Sequence, residues 1–297
     1  MDRHYLITGA TDGIGKATAQ AIAKSGATVV LVGRNPDKIN TVVDQFKSDT
    51  YNKNIHGLCA DLSSQAQIRQ LADDYHTQFN RLDVLINNAG GYFYQRQESV
   101  DGIELTFALN HLAYFMLTGL LIDMLMMTGQ TTGDARIVNV SSEAHRYKRK
   151  GIPFDDLQTI NKYNAMKAYS LSKVANIMFT YELARRLEGK PVTANVLHPG
   201  FVRTGFTRNA HGVSQTIFSM IARFFAQSAE NGAKTSIYLA TSDDVRGQSG
   251  QYYGKSKLVD SSETSLELEA QQRLWDISLQ MTGLEDFLSV DADATGV

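Results

Sequence analysis

The chain has 297 residues, 43% of them hydrophobic and 20% charged, and a net charge of −2. This composition is ordinary for a globular protein and carries no basic excess of the kind that binds nucleic acid. The single cysteine, Cys59, excludes an intrachain disulfide and a cysteine-rich metal cluster, and it fits a reducing compartment.

The period of the hydrophobic pattern alternates along the chain. "HYLIT" (4–8) reads as a strand, 15–26 as a helix stopped by Gly26, and "ATVVLVG" (27–33) as a buried β-branched run. Residues 36–48 are helical with Pro36 in the first turn, 54–60 form a strand, 63–79 a Ser-capped helix, and "LDVLINNAG" (82–90) a strand running into a turn. A long helix is expected over about 100–127, a strand over 135–142, a helix over 163–188, and a strand over 192–200. A helix near 229–241, a strand around Tyr252 and a final helix near 263–282 complete the order, and the tail after Leu284 is expected to fray.

Strands that alternate with helices need crossover connections, and so a parallel sheet covered on both faces. No repeat, low-complexity tract or linker interrupts the pattern, so 1–297 is expected to form one doubly wound α/β domain. The N-terminal apolar stretch is too short for a signal peptide. "FALNHLAYFMLTGLLIDMLMM" (107–127) is about one bilayer span long but carries Asn110, His111 and Asp123, and is expected to be a buried or interface helix rather than an integral membrane segment. A cytoplasmic location and a homodimer or homotetramer through this helix and that over 163–188 are the corresponding expectations.

"TGATDGIG" (8–15) joins the first strand to the first helix. Its glycines permit a tight turn and let a pyrophosphate approach backbone amides at a helix N-terminus, where the dipole favours an anion. Gly9, Thr11, Asp12, Gly13, Ile14 and Gly15 are therefore candidate cofactor-binding residues, although the spacing is not G-x-G-x-x-G. An acidic residue closing the second strand would accept from an adenosine ribose hydroxyl. The sequence has Gly33 and then Arg34, whose guanidinium suits a 2′-phosphate, so NADP(H) is expected rather than NAD(H). Asp61 and Leu62 after the third strand, and Asn88, Ala89 and Gly90 after the fourth, lie at carboxyl ends of strands, where open α/β sheets bind ligands.

Three Tyr-x-x-x-Lys pairs occur: Tyr163 with Lys167, Tyr169 with Lys173, and Tyr253 with Lys257. A spacing of four places both side chains on one helix face. A phenol is a weak acid, with a free pKa of about 10, and a nearby ammonium is expected to lower it so that the phenol can exchange a proton with an alcohol or carbonyl. Tyr169 and Lys173 follow the strand ending in "VNVSS" (138–142), which brings serine hydroxyls to the same edge.

"TGATDGIG", "NNAG", Asn110, "VSS", "YSLSK" and "HPG", in this order, resemble the short-chain dehydrogenase/reductases over nearly the whole chain. The resemblance implies a Rossmann-type seven-stranded sheet and a catalytic tetrad of Asn110, Ser142, Tyr169 and Lys173, in which the asparagine organises a water leading from the lysine to solvent. It also separates Ser142 from Ser141, and the thirty residues from Tyr169 to Pro199 match the family span and favour Tyr169 over Tyr163. Lys173 would hold the nicotinamide ribose, and Pro199, Gly200, Val202 and Thr204 would reach the nicotinamide. "IPFDDLQ" and "RLWDISLQMTGL" are similar to the retinol-dehydrogenase-like branch, and 201–228 is a candidate substrate lid.

His145 and His198 lack the spacing of a zinc site, there is no G-x-S-x-G elbow, and both histidines are read as structural. The expected function is an NADP(H)-dependent oxidoreductase for a small apolar carbonyl or alcohol. The alternatives are a non-catalytic NADP(H)-binding regulator and a partner subunit on the same fold.

Overall fold

A computed structural model describes residues 3–147, 151–200 and 229–288. Strands β1 (His4–Thr8), β2 (Thr28–Gly33), β3 (Ile55–Cys59), β4 (Val84–Asn87), β5 (Ala135–Val140), β6 (Val192–His198) and β7 (Tyr252–Gly254) pair in parallel in the order β3-β2-β1-β4-β5-β6-β7. Beyond the seven expected strands, β8 (Lys257–Leu258) folds back antiparallel on β7. The turn between them holds Lys255 and Ser256 at φ 52° and 58°. Asn-Gly or Asp-Gly usually occupies such a hairpin turn, so these residues gave no hairpin signal in the sequence.

Side chains alternate across the sheet: Leu6 faces one core, while Tyr5 and Ile7 face the other. Helices α1 (Gly13–Ala23), α2 (Pro36–Thr50) and α6 (Ala229–Thr241) cover the Tyr5 side. On the Leu6 side lie α3 (Gln65–Gln78), α4 (Leu105–Thr132), α5 (Ala165–Arg186) and α7 (Leu268–Thr282). Short polar side chains start these helices: Asn35 accepts from the Lys38 amide at 2.9 Å, and Asn164 from the Lys167 amide at 3.0 Å. The strand order reverses between β1 and β4, which opens a crevice at their carboxyl ends.

Helix α4 begins and ends later than its hydrophobic period suggests. Glu104 caps it by accepting from the amides of Thr106 and Phe107, and Gly133 at φ 69° stops it. Residues Ala108–Leu112 form a π turn, which shifts the phase of every side chain after it. Its most apolar window has a mean hydropathy of 1.6, yet 72% of that window is buried within the fold. Met116, Leu121 and Leu125 are fully buried and Met124 nearly so. Much of the apolar run is thus buried in the protein's own core, while Met127 stays exposed.

Residues 285–288 pack back on the core, and the rest of the tail expected to fray after Leu284 lies outside the described residues. Phe287 packs its ring against Trp275 and Phe115 at centroid distances of 4.9 and 5.4 Å, and Arg186 bonds both carboxylate oxygens of Asp286. A Cβ at Gly119 would come within 2.7 Å of the Phe287 ring, so a small residue in α4 makes room for it.

Candidate active site

The carboxyl end of β1 and the loop after β4 are bonded directly to each other. Thr8 Oγ1 accepts from the amides of Asn88 at 2.8 Å and Ala89 at 3.0 Å, and Asn88 Nδ2 donates to the Thr8 carbonyl at 2.8 Å. This contact leaves no room for side chains on the facing loop. Gly9 has φ 65°, and a Cβ there would come within 2.9 Å of the Ala89 Cα. A Cβ at Gly15 would lie 2.3 Å from the Gly9 carbonyl oxygen and 2.4 Å from Asn88 Nδ2. Asp12 caps α1 by accepting from the Gly13 amide at 2.8 Å, and it pairs with Lys38 at 3.2 Å. The first-turn amides of Ile14 and Gly15 have no partners within the helix. A helix N-terminus closed in by bare backbone is a site that fits a pyrophosphate.

Arg34 follows β2 and is exposed. A Cβ on its neighbour Gly33 would meet Thr11 Cγ2 at 2.9 Å, so packing as well as charge bears on the small residue there. Asp61 takes the amide and hydroxyl of Ser63 on one oxygen, and the adjoining Leu62 is buried. Pro199 and Gly200 follow β6, with the Gly200 amide donating to His198 Nδ1 at 3.2 Å. Val202, Thr204 and the candidate lid 201–228 lie outside the described residues.

On the other side of the crevice, α4, α5 and the end of β5 bring the four tetrad candidates together. Asn110 stands in the π turn of α4. Its Oδ1 accepts from the Gly91 amide at 2.7 Å, and its Nδ2 donates to the Gly91 carbonyl and to Ser172 Oγ, each at 3.0 Å. Ser172 Oγ in turn donates to the Tyr169 carbonyl at 2.8 Å. Gly90 lies between Asn110 and Lys173: a Cβ there would be 3.1 Å from Asn110 Oδ1 and 3.6 Å from Lys173 Nζ. The two serines face different ways. Ser141 is buried and donates to the Lys173 carbonyl at 2.8 Å, whereas Ser142 hydrogen-bonds the Tyr169 side chain.

Lys173 is buried, with its Nζ donating to the Val140 carbonyl at 3.1 Å and standing 5.6 Å from the ring centre of Tyr169 and 5.7 Å from that of Tyr114. Desolvation pushes its ammonium down to about 7. Tyr169 behaves differently from the expected lowered phenol. Burial of its hydroxyl pushes it up to about 12, against the opposing hydrogen bond from Ser142. The residue as a whole keeps some solvent-facing surface, but it is the packed surroundings of the hydroxyl that govern its ionisation. The lysine stands over the ring, 5.6 Å from its centre, and burial is the main cause of the raised phenol.

An aromatic wall stands on the open side of Tyr169. Tyr92 meets Tyr169 edge-on at 5.6 Å, and Tyr94 packs edge-on to Tyr92 at 5.0 Å. Tyr163 fixes this loop by donating to the Phe93 carbonyl at 2.7 Å, while Lys167 is exposed, so this second Tyr-x-x-x-Lys pair anchors a loop. Tyr253 is buried in β7 and donates to Gln248 at 2.7 Å. His145 is buried between the Ser142 carbonyl and the Ser262 amide, and His198 pairs with Glu143 at 3.1 Å.

The sequence reading missed Asn176, one turn beyond Lys173. It donates to the Asn110 carbonyl at 2.8 Å and to the Val140 carbonyl at 3.4 Å. An amide inside an otherwise apolar buried helix was the available signal, because such groups are buried only with partners.

The family model for short chain dehydrogenases matches residues 3–154 and 157–213. The chain belongs to this family and, within it, to the retinol-dehydrogenase-like branch. It is 38% identical over 291 residues to mouse (Mus musculus) retinol dehydrogenase 14, covering 94% of this chain and 85% of that protein. It is 37% identical over 287 residues to human (Homo sapiens) polyprenol dehydrogenase, covering 96% of this chain and 86% of that protein. The Pseudomonas aeruginosa RhlG/NADP active-site complex superimposes with a TM-score of 0.67 at 26% identity, over 84% of this chain and 93% of the other. The protein is therefore an oxidoreductase of the carbonyl and alcohol class that uses a nicotinamide cofactor.

The buried lysine has a consequence for stability. Its folded pKa is near 7 and its free value is 10.5. Between these values the unfolded chain binds more protons, so stability rises with pH; below about 7 the full cost of burying the ammonium remains. Replacing Lys173 with Met removes this dependence. Relative to Lys173→Met, the wild type should gain roughly 2–3 kcal/mol between pH 6 and pH 9. Denaturant unfolding of both proteins at the two pH values measures this gain, and parallel pH dependences would show that the ammonium is solvated.

Proposed function

We propose that the protein is an NADP(H)-dependent oxidoreductase that interconverts an apolar alcohol and its carbonyl, with Tyr169 as the acid/base. The observation that carries this reading is the convergence of Ser142, Tyr169 and Lys173 at the sheet edge that also presents the glycine-lined N-terminus of α1. A nicotinamide held at this edge would supply the hydride in reduction and accept it in oxidation. Tyr169 gives its proton to the carbonyl oxygen in reduction and takes it back in oxidation, and Ser142 holds that oxygen. Lys173, poised near neutral pH, replaces the proton and holds the cofactor ribose. Asn110 fixes the Gly90–Gly91 backbone against the lysine.

The relatives named for retinol and polyprenol support an apolar substrate, and the wall of Tyr92 and Tyr94 supplies an apolar surface with polar edges. The name of the Pseudomonas complex supports NADP, as does Arg34 at the end of β2. A cytoplasmic location accompanies this reading.

Tyr169→Phe should lose roughly 10²–10⁴-fold or more in turnover of ketones or aldehydes while NADPH binding stays near normal. Tyr163→Phe, which removes only the anchor to Phe93, should stay within several-fold of wild type. Unchanged turnover in Tyr169→Phe would overturn the assignment. Binding of NADPH by the wild type with no turnover across a broad carbonyl panel would favour a regulator instead.

The cofactor preference is tested at Arg34. A charged hydrogen bond to a phosphate contributes about 1.5–3 kcal/mol, or roughly 10- to 150-fold in affinity. Arg34→Ala should weaken NADPH by that factor and leave NADH nearly unchanged, as read from titrations against intrinsic fluorescence. Placing an acid at 33 is a poorer test because its Cβ would displace Thr11. Equal binding of both cofactors by the wild type would contradict the NADP(H) assignment.

A further inference from the structure

His111 follows Asn110 in the π turn and is completely buried, with its ring against Phe107 at 5.0 Å and Phe179 at 6.2 Å. Its Nδ1 lies 3.3 Å from Asn176 Oδ1, and its Nε2 lies 3.0 Å from Ser278 Oγ on α7. The hydrogen-bond inventory determines which nitrogen carries the proton. One end of the Asn176 amide faces two carbonyl oxygens, those of Asn110 and Val140, and must be the NH₂ group. The other end is then an acceptor, so the histidine has to present a donor to it. Burial pushes the imidazole down to about 4, so the ring is neutral near neutral pH and carries one proton, on Nδ1. Its Nε2 is then an acceptor for the Ser278 hydroxyl, which turns from the Leu274 carbonyl 2.7 Å away.

We infer that His111, protonated on Nδ1, is a positioning residue that braces the Asn176 amide and through it the Val140 carbonyl that accepts from the lysine. Val140 O is the hydrogen-bond acceptor of Lys173, and Asn110 O belongs to the residue whose side chain holds Gly91 and Ser172. With the donor at Nδ1 lost, the buried Asn176 oxygen has no partner, and only the bonds to these two carbonyls, the second at 3.4 Å, hold the amide. A flipped or displaced amide would set its oxygen against theirs and push the Val140 carbonyl away from Lys173. The effect on turnover rests on the function proposed above, whereas the protonation state does not.

Two measurements test the inference. In a long-range proton–nitrogen correlation spectrum at pH 7, the His111 resonances, assigned by their loss in His111→Asn, should report a protonated Nδ1 and an unprotonated Nε2. A protonated Nε2 overturns the inference whether or not the protein is an enzyme. In the second, an asparagine at 111 can place its amide nitrogen where Nδ1 lies, whereas leucine cannot. The kcat of His111→Asn should stay within several-fold of wild type, and that of His111→Leu should fall about 10- to 100-fold. The loss in kcat should exceed any loss in NADPH affinity. A purely structural histidine would give two variants with equal kcat and differing only in melting temperature, and that result overturns the inference. If His111→Leu does not fold, the tautomer and the His111→Asn kcat decide. Should the wild type turn over no carbonyl, the function fails and the tautomer alone decides.

Discussion

An ammonium group removed from water needs other acceptors, and much of the carboxyl edge of this sheet is organised around Lys173. The direct acceptor is the Val140 carbonyl at the end of β5, 3.1 Å from Nζ, with the ring faces of Tyr169 and Tyr114 on either side. Such acceptors compensate only part of the lost hydration, and the proton affinity of the amine falls accordingly. The lysine's own backbone carbonyl is held by Ser141, which locks the start of α5 to β5. Asn176, one turn on, bonds the same Val140 oxygen and the Asn110 carbonyl in α4. Strand β5 and helices α4 and α5 thus meet at one buried charge.

The strand order gives this charge a place beside the phosphate end of the crevice. Because the order reverses between β1 and β4, the loops after these strands diverge enough to admit a ligand while Thr8 still ties their bases together. The bare backbone at Gly9 and Gly15 follows from that tie, since Asn88 and Ala89 occupy the space side chains would need. Gly90 and Gly91, next in the chain, carry the contact on to Asn110 and Lys173. A short run of backbone therefore links the proposed pyrophosphate cradle to the proposed proton-transfer residues.

The features legible in the sequence were those with a period or a spacing. The apolar alternation located β1 to the residue, and the order of strands and helices pointed to the parallel sheet. The Tyr-x-x-x-Lys spacing found three pairs, and only the fold separates them: Tyr163 bonds a loop carbonyl, Tyr253 lies in a strand, and Tyr169 meets Ser142. Ser141 and Ser142 are chemically identical in sequence, and the alternation of a strand end sends one to a helix carbonyl and the other into the crevice. The π turn of α4 was invisible because a single extra residue per turn alters phase without altering composition. Asn176 and His111, which reach Lys173 only through the Val140 carbonyl, are buried polar residues whose pairing depends on long-range contacts. Local sequence does not reveal that α7 and the Phe287 segment come back to cover part of the apolar surface of α4.

The central claim is that a hydride passes between a nicotinamide and a carbonyl carbon at this edge. Following the label tests it most directly: NADPH deuterated at the transferable position of C4 is incubated with the wild-type protein and a carbonyl substrate, and the product alcohol is examined by mass spectrometry and NMR. Deuterium on the carbinol carbon, at one atom per turnover and with a slowed rate, is the predicted result. Product that carries no deuterium at that carbon, or consumption of NADPH without formation of an alcohol, would contradict it.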